Sequence, residues 1–131
     1  MPKTIRQSVT LPARPERLYR MYLDRGAHAA FTRAPVEISS KPGSPFSAFS
    51  GAIWGKTLLT VPGRLIVQSW RSVNFGKNDL DSILILTFSP DGKEGRIDLT
   101  QVNVADGDVE GVRKGWRTHY WAPWRKYLKG K

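Results

Sequence analysis

The chain has 131 residues and a formal net charge of +10 at pH 7. This length fits one domain, residues 1–131, and no apolar run approaches the roughly 20 residues that a membrane-spanning helix needs. Cysteine is absent, which excludes disulfides, thiolate metal sites and cysteine nucleophiles.

The positive charge is unevenly distributed along the chain. Residues 1–78 carry a net charge of +9, residues 79–110 carry −6 and residues 111–131 carry +7. A strongly basic domain attracts polyanions. The basic residues form no run of five or more, however, and a solvated, like-charged surface is the simpler interpretation. The first residues lack the apolar segment of a secretory signal, so we expect a cytoplasmic protein.

The N-terminal third predicts one strand and two short helices. Apolar and polar residues alternate over residues 4–11, which is typical of a strand. Pro15 suits the first helical position and Glu16 suits the first turn, so we expect a helix to begin there. A second short helix is expected from residue 25, ended by Pro35.

From residue 36 the hydrophobic period changes to two, which predicts strands. Six strands separated by turn-forming residues are expected: VEIS, SPFSAF, GAIWGKTLLTV, RLIVQSWRS, DSILILTFS and GRIDLTQVNV. Their short connections favour antiparallel pairing. A long helix should follow from residue 109 to about residue 128, with Asp106 or Asp108 as its N-cap. Because the strands and helices are segregated, we expect an α+β fold with the helices on one face of the sheet.

The predicted C-terminal helix is unusually aromatic. Its segment GWRTHYWAPW contains three of the five tryptophans. With about 100° of rotation per residue, one apolar stripe is expected: Val109, Val112, Trp116, Tyr120, Pro123 and Tyr127. Pro123 has no N–H to donate and is expected to kink the helix. The rings either fill the core or line a cavity between helix and sheet, and the sequence leaves both interpretations open.

Motifs for phosphate or metal binding are incomplete. SGAIWGKT has three residues between its glycines, where a phosphate-binding loop needs four. A calcium loop that begins at Asp106 would have Arg117 where a glutamate is required. His28 and His119 are the only histidines and give no metal signature. We therefore expect no cofactor, no metal and a non-catalytic function.

Segments spread in order over nearly the whole chain carry a family resemblance. They are IRQSVTLPARPERLYRMYLD, His28, the pair Phe31-Thr32, Gly43 with Phe46, the glycine pair of GAIWG, PGRLIVQSWR and GWRTHYWAPWRKYL. Together they resemble the family called activator of heat-shock protein 90 ATPase homologue-like. Its superfamily includes the birch-pollen allergen, steroidogenic-acute-regulatory-related lipid-transfer domains and polyketide cyclases. The resemblance implies a helix-grip fold, in which a seven-stranded curved antiparallel sheet wraps the C-terminal helix.

The resemblance implies less about function than about fold. The eukaryotic namesake is a co-chaperone that stimulates the chaperone's ATPase, with an additional N-terminal domain that these 131 residues do not contain. That likeness suggests a role in the stress response. Many single-domain members are thought to bind small hydrophobic molecules. Fold alone does not fix function.

The preferred hypothesis is a binding protein with an apolar cavity between the C-terminal helix and the sheet, for a small hydrophobic molecule. The candidate lining residues are Trp116, Tyr120 and Trp124 on the helix, Trp70, Phe88, Phe49 and Trp54 on the sheet, and Phe31 at the mouth. Arg71 is the candidate anchor for an anionic head group, since guanidinium pairs well with carboxylate.

Three alternatives come from other classes of function. A co-chaperone-like interaction module would use the basic surface to meet an acidic protein partner such as a chaperone. Nucleic-acid binding would need solvent-facing tryptophans for base stacking, whereas the helical stripe predicts that most face inward. An enzyme of the cyclase or isomerase type is disfavoured because no convincing acid–base pair is visible.

Overall fold

The computed structural model describes residues 2–130 and shows one antiparallel sheet with helices packed on its inner face. The strands are β1 (Lys3–Leu11), β2 (Val36–Glu37), β3 (Pro45–Ala48), β4 (Ile53–Val61), β5 (Leu65–Ser72), β6 (Ser82–Asp91) and β7 (Glu94–Val104). Their order across the sheet is β1-β7-β6-β5-β4-β3-β2, so every consecutive pair after β1 is adjacent. This confirms the predicted α+β class and its seven-stranded helix-grip architecture.

Two short helices connect β1 to β2, as the sequence predicts. α1 (Pro15–Leu23) begins with its proline in the first turn. α2 (Arg25–Thr32) begins after Asp24, whose side chain accepts a hydrogen bond from the Ala27 N–H at 2.8 Å. It ends at Thr32, before the expected stop at Pro35, because Arg33 adopts a left-handed conformation with φ of 60°.

The long C-terminal helix is less regular than predicted. It consists of α3 (Val109–Gly115), a π-helical segment (Trp116–Trp121) and α4 (Ala122–Lys129), preceded by a 3-10 turn at Asp106–Asp108. We call α3, the π-helical segment and α4 together the C-terminal helix. The wider π turns end at Trp121, two residues before Pro123, where the sequence predicts a kink. Proline has no N–H to donate, so the regular hydrogen-bond ladder is interrupted at this place.

Side-chain hydrogen bonds fasten the C-terminal helix across the edge strand β1. Gln7 accepts a hydrogen bond from Trp121 Nε1 at 2.8 Å and donates one to the Arg113 carbonyl at 2.9 Å. Arg125 donates to the carbonyl of Thr10 at 2.8 Å. The helix therefore has a fixed position over the sheet, which gives the space beneath it a defined shape.

Alternating burial identifies the sheet face that covers the core. Ile66 and Gln68 of β5 are buried, and the residues between and beside them are half-buried. They pair with Leu86 and Leu84 of β6, which are also buried. A period of two is what a sheet with one covered face requires.

At Gly55 in β4, the backbones of two neighbouring strands approach closely. A Cβ atom at Gly55 would lie 1.9 Å from the carbonyl oxygen of Ser69 in β5. Only glycine fits without a shift of one strand. The bulge in this strand pair lies further along β4, between Thr57 and Leu59.

Two absences concern residues 2–130. None of their helices is both long and apolar enough to cross a membrane. Their His, Asp and Glu side chains form no group of three or more that could hold a metal ion.

Candidate functional site

A cavity of about 440 Å³ opens between the C-terminal helix and the end of the sheet formed by β3, β4 and β5. The helix contributes one wall through α3 and the π-helical segment. The opposite wall comes from the turn after β3, the start of β4 and the end of β5. Most of this lining is apolar.

Aromatic rings from three separate elements face the cavity. Trp116 and Tyr120 of the π-helical segment lie with ring centroids 4.6 Å apart. Phe49 meets Tyr120 edge-on at 5.9 Å. Trp70 lines the cavity from β5. Phe49 itself has a positive φ of 54°, a conformation that non-glycine residues seldom adopt. The backbone of the turn after β3 is therefore somewhat strained where it places this ring.

Two glycines leave the helical wall of the cavity without side chains at their positions. Gly111 and Gly115 lie one turn apart on α3 and both line the cavity. A Cβ at Gly115 would meet no atom of the surroundings closer than His119 Cδ2, at 3.9 Å. Gly115 has ordinary helical dihedrals, φ of −59° and ψ of −40°. The missing side chain therefore leaves open space at Gly115 and serves no backbone requirement.

Asp108 is a buried carboxylate in the cavity wall, with 8% of its surface exposed. It occupies the position before α3 that the sequence predicts for an N-cap, but its side chain makes no capping hydrogen bond. Instead Oδ2 accepts a hydrogen bond from Ser72 Oγ at 2.9 Å. None of the ion pairs found in residues 2–130 includes Asp108.

Behind the cavity wall, His28 joins two tyrosines in a buried hydrogen-bond chain. Its Nδ1 lies 2.7 Å from the Tyr22 carbonyl oxygen, and its Nε2 lies 2.9 Å from the Tyr120 hydroxyl. A carbonyl oxygen can only accept, so Nδ1 carries the proton and Nε2 accepts from Tyr120. The Tyr22 hydroxyl continues the chain by donating to Gln68 Oε1 at 2.9 Å.

Burial keeps the side chains of His28, Tyr22 and Tyr120 neutral. It lowers the pKa of His28 from 6.5 to about 4, against a smaller opposing effect of the hydrogen bond to Tyr22. Burial also raises the pKa of Tyr120 and of Tyr22 well above 10.0, and Tyr120 adds to the effect on Tyr22. This series of hydrogen bonds is therefore uncharged, and it fixes the Tyr120 ring in the cavity wall.

A second buried network holds Trp116. Its Nε1 donates to Gln101 Oε1 at 2.9 Å, and Gln101 Nε2 donates to Ser82 Oγ at 3.0 Å. Gln101 and Ser82 are fully buried on β7 and β6. Sequence reasoning did not find these polar partners, and their only signal is polar residues at inward positions of otherwise apolar strands.

The structure brings four of the candidate lining residues together. Trp116, Tyr120, Trp70 and Phe49 all line the cavity. The remaining candidates lie elsewhere.

Trp124 and Phe31 belong to the core and not to the cavity wall. Their rings stack at 4.2 Å with an interplanar angle of 5°. Trp124 has no exposed surface. Phe31 lines a separate depression between α2 and α4, so it does not close the mouth of the cavity. Phe88 is also buried away from the cavity, edge-on to Tyr19 of α1 at 5.7 Å.

Trp54 and Arg71 lie on the outer face of the sheet, where they pair across β4 and β5. Trp54 is 40% exposed. The Arg71 guanidinium donates to the carbonyl oxygens of Asp79 and Gly76, at 2.5 and 2.6 Å, and to the Asp81 carboxylate at 3.2 Å. Arg71 therefore holds the loop between β5 and β6 and does not reach into the cavity.

Comparisons with known proteins find relatives of this chain. The model of the family described as Activator of Hsp90 ATPase homolog 1-like protein matches residues 12–129. An Activator of 90 kDa heat shock protein ATPase homolog from Dictyostelium discoideum is 28% identical over 116 residues, which are 88% of this chain and 30% of that protein. The chain spans about a third of the length of the curated relatives that it matches.

Solved structures show the same fold. The crystal structure of an HSP90 activator from Plasmodium falciparum has a TM-score of 0.88 and 22% identity, and the match covers 97% of this chain and 96% of that one. A crystal structure from Chromobacterium violaceum has a TM-score of 0.72 and 30% identity, and the match covers 90% of this chain and 92% of that one.

Proposed function

The chain belongs to the Activator of Hsp90 ATPase homolog 1-like family, and we propose that it is a non-catalytic binding protein that holds a small hydrophobic molecule in the cavity under its C-terminal helix. The observation that carries this proposal is the cavity itself. It keeps a volume of about 440 Å³ and an apolar lining although the helix above it bears three tryptophans. Sites for small molecules are typically apolar concavities with a few polar groups.

The surrounding contacts explain why the large rings do not fill the cavity. Trp121 is tied to Gln7 of β1, and Trp124 is stacked on Phe31 of α2. Trp116 is anchored to Gln101 of β7. Collapse of these rings into the cavity would leave buried polar groups without partners or lose core packing. We infer that the space is held open by the fold.

The chemistry near the cavity supports binding more than catalysis. Both ring nitrogens of His28 are engaged in core hydrogen bonds behind Tyr120. The Asp108 carboxylate is engaged by a serine hydroxyl. A general base needs a titrating group within reach of a reacting proton. His28 does not line the cavity. The exposed ring of His119 does line it, but among residues 2–130 no hydrogen bond joins His119 to Asp108 as an acid–base pair.

Filling the cavity from Gly115 tests the proposal. Gly115→Leu places a side chain into the open space, while its helical dihedrals suit any residue, so the fold should be kept. Glycine in a helix interior lowers stability by roughly 0.5–1 kcal/mol relative to alanine, so replacing Gly115 should raise stability slightly. We expect Gly115→Leu to weaken the binding of hydrophobic ligands at least tenfold, whereas Gly115→Ala should bind like the wild type.

Indole N–H resonances provide the readout for this test. Trp70 and Trp116 line the cavity, whereas Trp54 lies on the outer face. During titration with a panel of fatty acids and aromatic compounds, the first two indole signals should shift and that of Trp54 should not. Shifts confined to Trp54, or equal affinities of wild type and Gly115→Leu, would contradict the proposal.

A second candidate function is a co-chaperone-like interaction with an ATPase chaperone, favoured by the family match and by the charge of the C-terminal helix. After Glu110 the sequence has seven basic residues and no acidic one. Lys114, Arg117 and Lys126 of this helix are exposed. Such a surface complements an acidic partner. The chain lacks cysteine, which suits the reducing cytoplasm, and we propose that the protein is cytoplasmic. A chaperone partner would give the protein a role in the stress response.

The test of this second function is the ATPase rate of a purified Hsp90 with and without the protein. If the interaction occurs through the basic helix, stimulation should fall as salt rises. It should also fall in the double variant Arg117→Glu, Lys126→Glu, but not in Lys93→Glu, which changes an exposed lysine of the β6–β7 turn. An unchanged ATPase rate at low salt would exclude it.

The structure buries most of the tryptophans that could stack on nucleic-acid bases. Trp70, Trp116, Trp121 and Trp124 are buried. Trp54, with 40% of its surface exposed, is the one tryptophan that is not buried. Base stacking needs rings that face solvent, so the basic surface alone would have to supply such binding.

A further inference from the structure

The charged group best shielded from solvent in the cavity wall is a carboxylate. Asp108 is 8% exposed and lines the cavity beside Val112 and Trp116. It accepts one side-chain hydrogen bond, from Ser72 Oγ. An ionised carboxylate offers about four acceptor positions, so most of its capacity is unused by the protein's side chains.

Among residues 2–130, no basic side chain forms an ion pair with this carboxylate. Lys114 is the one lysine or arginine that lines the same cavity, and it is exposed and forms no ion pair with Asp108. The charge of an exposed lysine is solvated and screened by salt, whereas a buried carboxylate is screened much less. A buried charge is costly unless it is paired. The cavity therefore favours a ligand that brings a positive charge to Asp108.

The rings around the cavity favour the same kind of ligand. Phe49, Trp70, Trp116 and Tyr120 contribute four aromatic side chains to the lining. The faces of such rings attract organic cations, and tryptophan attracts them best. Rings and carboxylate together suit a molecule with an apolar body and a positively charged nitrogen.

We propose that the cavity selects a hydrophobic amine, with its apolar body between the C-terminal helix and the sheet and its protonated amino group paired with Asp108. This proposal rests on the proposed ligand-binding function and names the ligand class. It replaces the expected anionic head group, because Arg71 faces away from the cavity and Asp108 lies in it.

Three probes of nearly equal shape test the charge preference: naphthylethylamine, naphthylethanol and naphthylacetate. They carry a cationic, a neutral and an anionic arm at neutral pH, and calorimetry at physiological salt measures each affinity. We expect the amine to bind at least tenfold more tightly than the alcohol and the acid. Equal affinity of amine and alcohol in the wild type, or tighter binding of the acid, would overturn the proposal without any variant.

Substitutions then assign the preference to Asp108. Asp108→Asn should reduce the preference for the amine over the alcohol to less than threefold. Ser72→Ala should keep the preference, because the carboxylate remains. Asp106→Asn changes an exposed carboxylate two residues away and is the matched control. A preference that survives in a folded Asp108→Asn variant would contradict the assignment.

The same experiment separates this inference from the proposed function. If the alcohol binds as well as the amine and Gly115→Leu abolishes both, the cavity binds hydrophobic ligands and only the charge preference is wrong. If none of the three probes binds and a lipid panel also fails, both proposals are wrong.

Discussion

Replacing Trp124 with alanine is expected to lower the free energy of unfolding by about 3–5 kcal/mol, the usual cost of removing a large buried aromatic side chain. Trp124 has no exposed surface and stacks on Phe31 at 4.2 Å and on Trp121 at 6.4 Å. The substitution would therefore remove the ring contact between α2 and α4. Urea unfolding followed by circular dichroism measures the effect.

Two matched variants decide whether the stacking explains the loss. The Trp124 indole N–H is buried without a hydrogen-bond partner, so Trp124→Phe gives up no hydrogen bond and keeps a ring on Phe31. It should cost less than half as much as alanine. Trp54→Ala removes an exposed tryptophan and should change stability by no more than about 0.5 kcal/mol. Similar losses in Trp54→Ala and Trp124→Ala would contradict the burial described for these residues.

Stability is expected to fall by about 3 kcal/mol when the pH is lowered from 6.5 to 4, because only the unfolded chain protonates His28 in this window. The pKa of His28 is about 4 in the folded protein and 6.5 when exposed. Protonation of the unfolded state therefore favours unfolding as the pH falls, and the full stability returns above 6.5. Urea unfolding at several pH values measures this dependence.

The other histidine serves as the control for this pH dependence. His28→Gln removes the titrating group, so the slope of stability between pH 6.5 and 4 should become shallower, whatever its effect at neutral pH. His119→Gln replaces an exposed ring and is the matched control for the loss of an imidazole. Carboxylates titrate in all three proteins and cancel in the comparison. A slope that is unchanged by His28→Gln would show that His28 is not neutral in the folded protein.

The helical side of the candidate site is predictable from sequence because it depends on one periodicity. Trp116 and Tyr120 recur at helical spacing, and both line the cavity. Trp124 continues the same aromatic segment but leaves the cavity, because Phe31 of α2 binds its ring in the core. The docking of α2 is a tertiary contact, which the spacing of residues in one helix does not contain.

The sheet side is harder to predict because neighbouring residues of a strand face opposite sides. Trp70 and Arg71 are adjacent in β5, and Trp54 pairs with Arg71. Trp54 therefore shares the outer face with Arg71, while Trp70 faces the cavity. A one-residue change of register exchanges the faces, and the bulge after Thr57 shows that the register of β4 is not uniform.

The polar residues of the site depend on partners that are distant in sequence. His28 binds Tyr120, which is 92 residues away, and Asp108 binds Ser72, which is 36 residues away. The sequence assigns Asp108 to a helix cap and gives no role to Gly115. Gly111 and Gly115 lie one helical turn apart and both line the cavity, but neither belongs to the apolar stripe that the sequence predicts.

The most direct test of the central claim, that the fold holds open a ligand cavity under the C-terminal helix, is native mass spectrometry of freshly purified wild type beside Gly115→Leu. A mass that accompanies the folded wild type, is lost on denaturation and is absent from Gly115→Leu is the predicted result. If that mass were equally present in Gly115→Leu, or if the wild type carried none and bound no lipid or amine added to it, the central claim would be wrong.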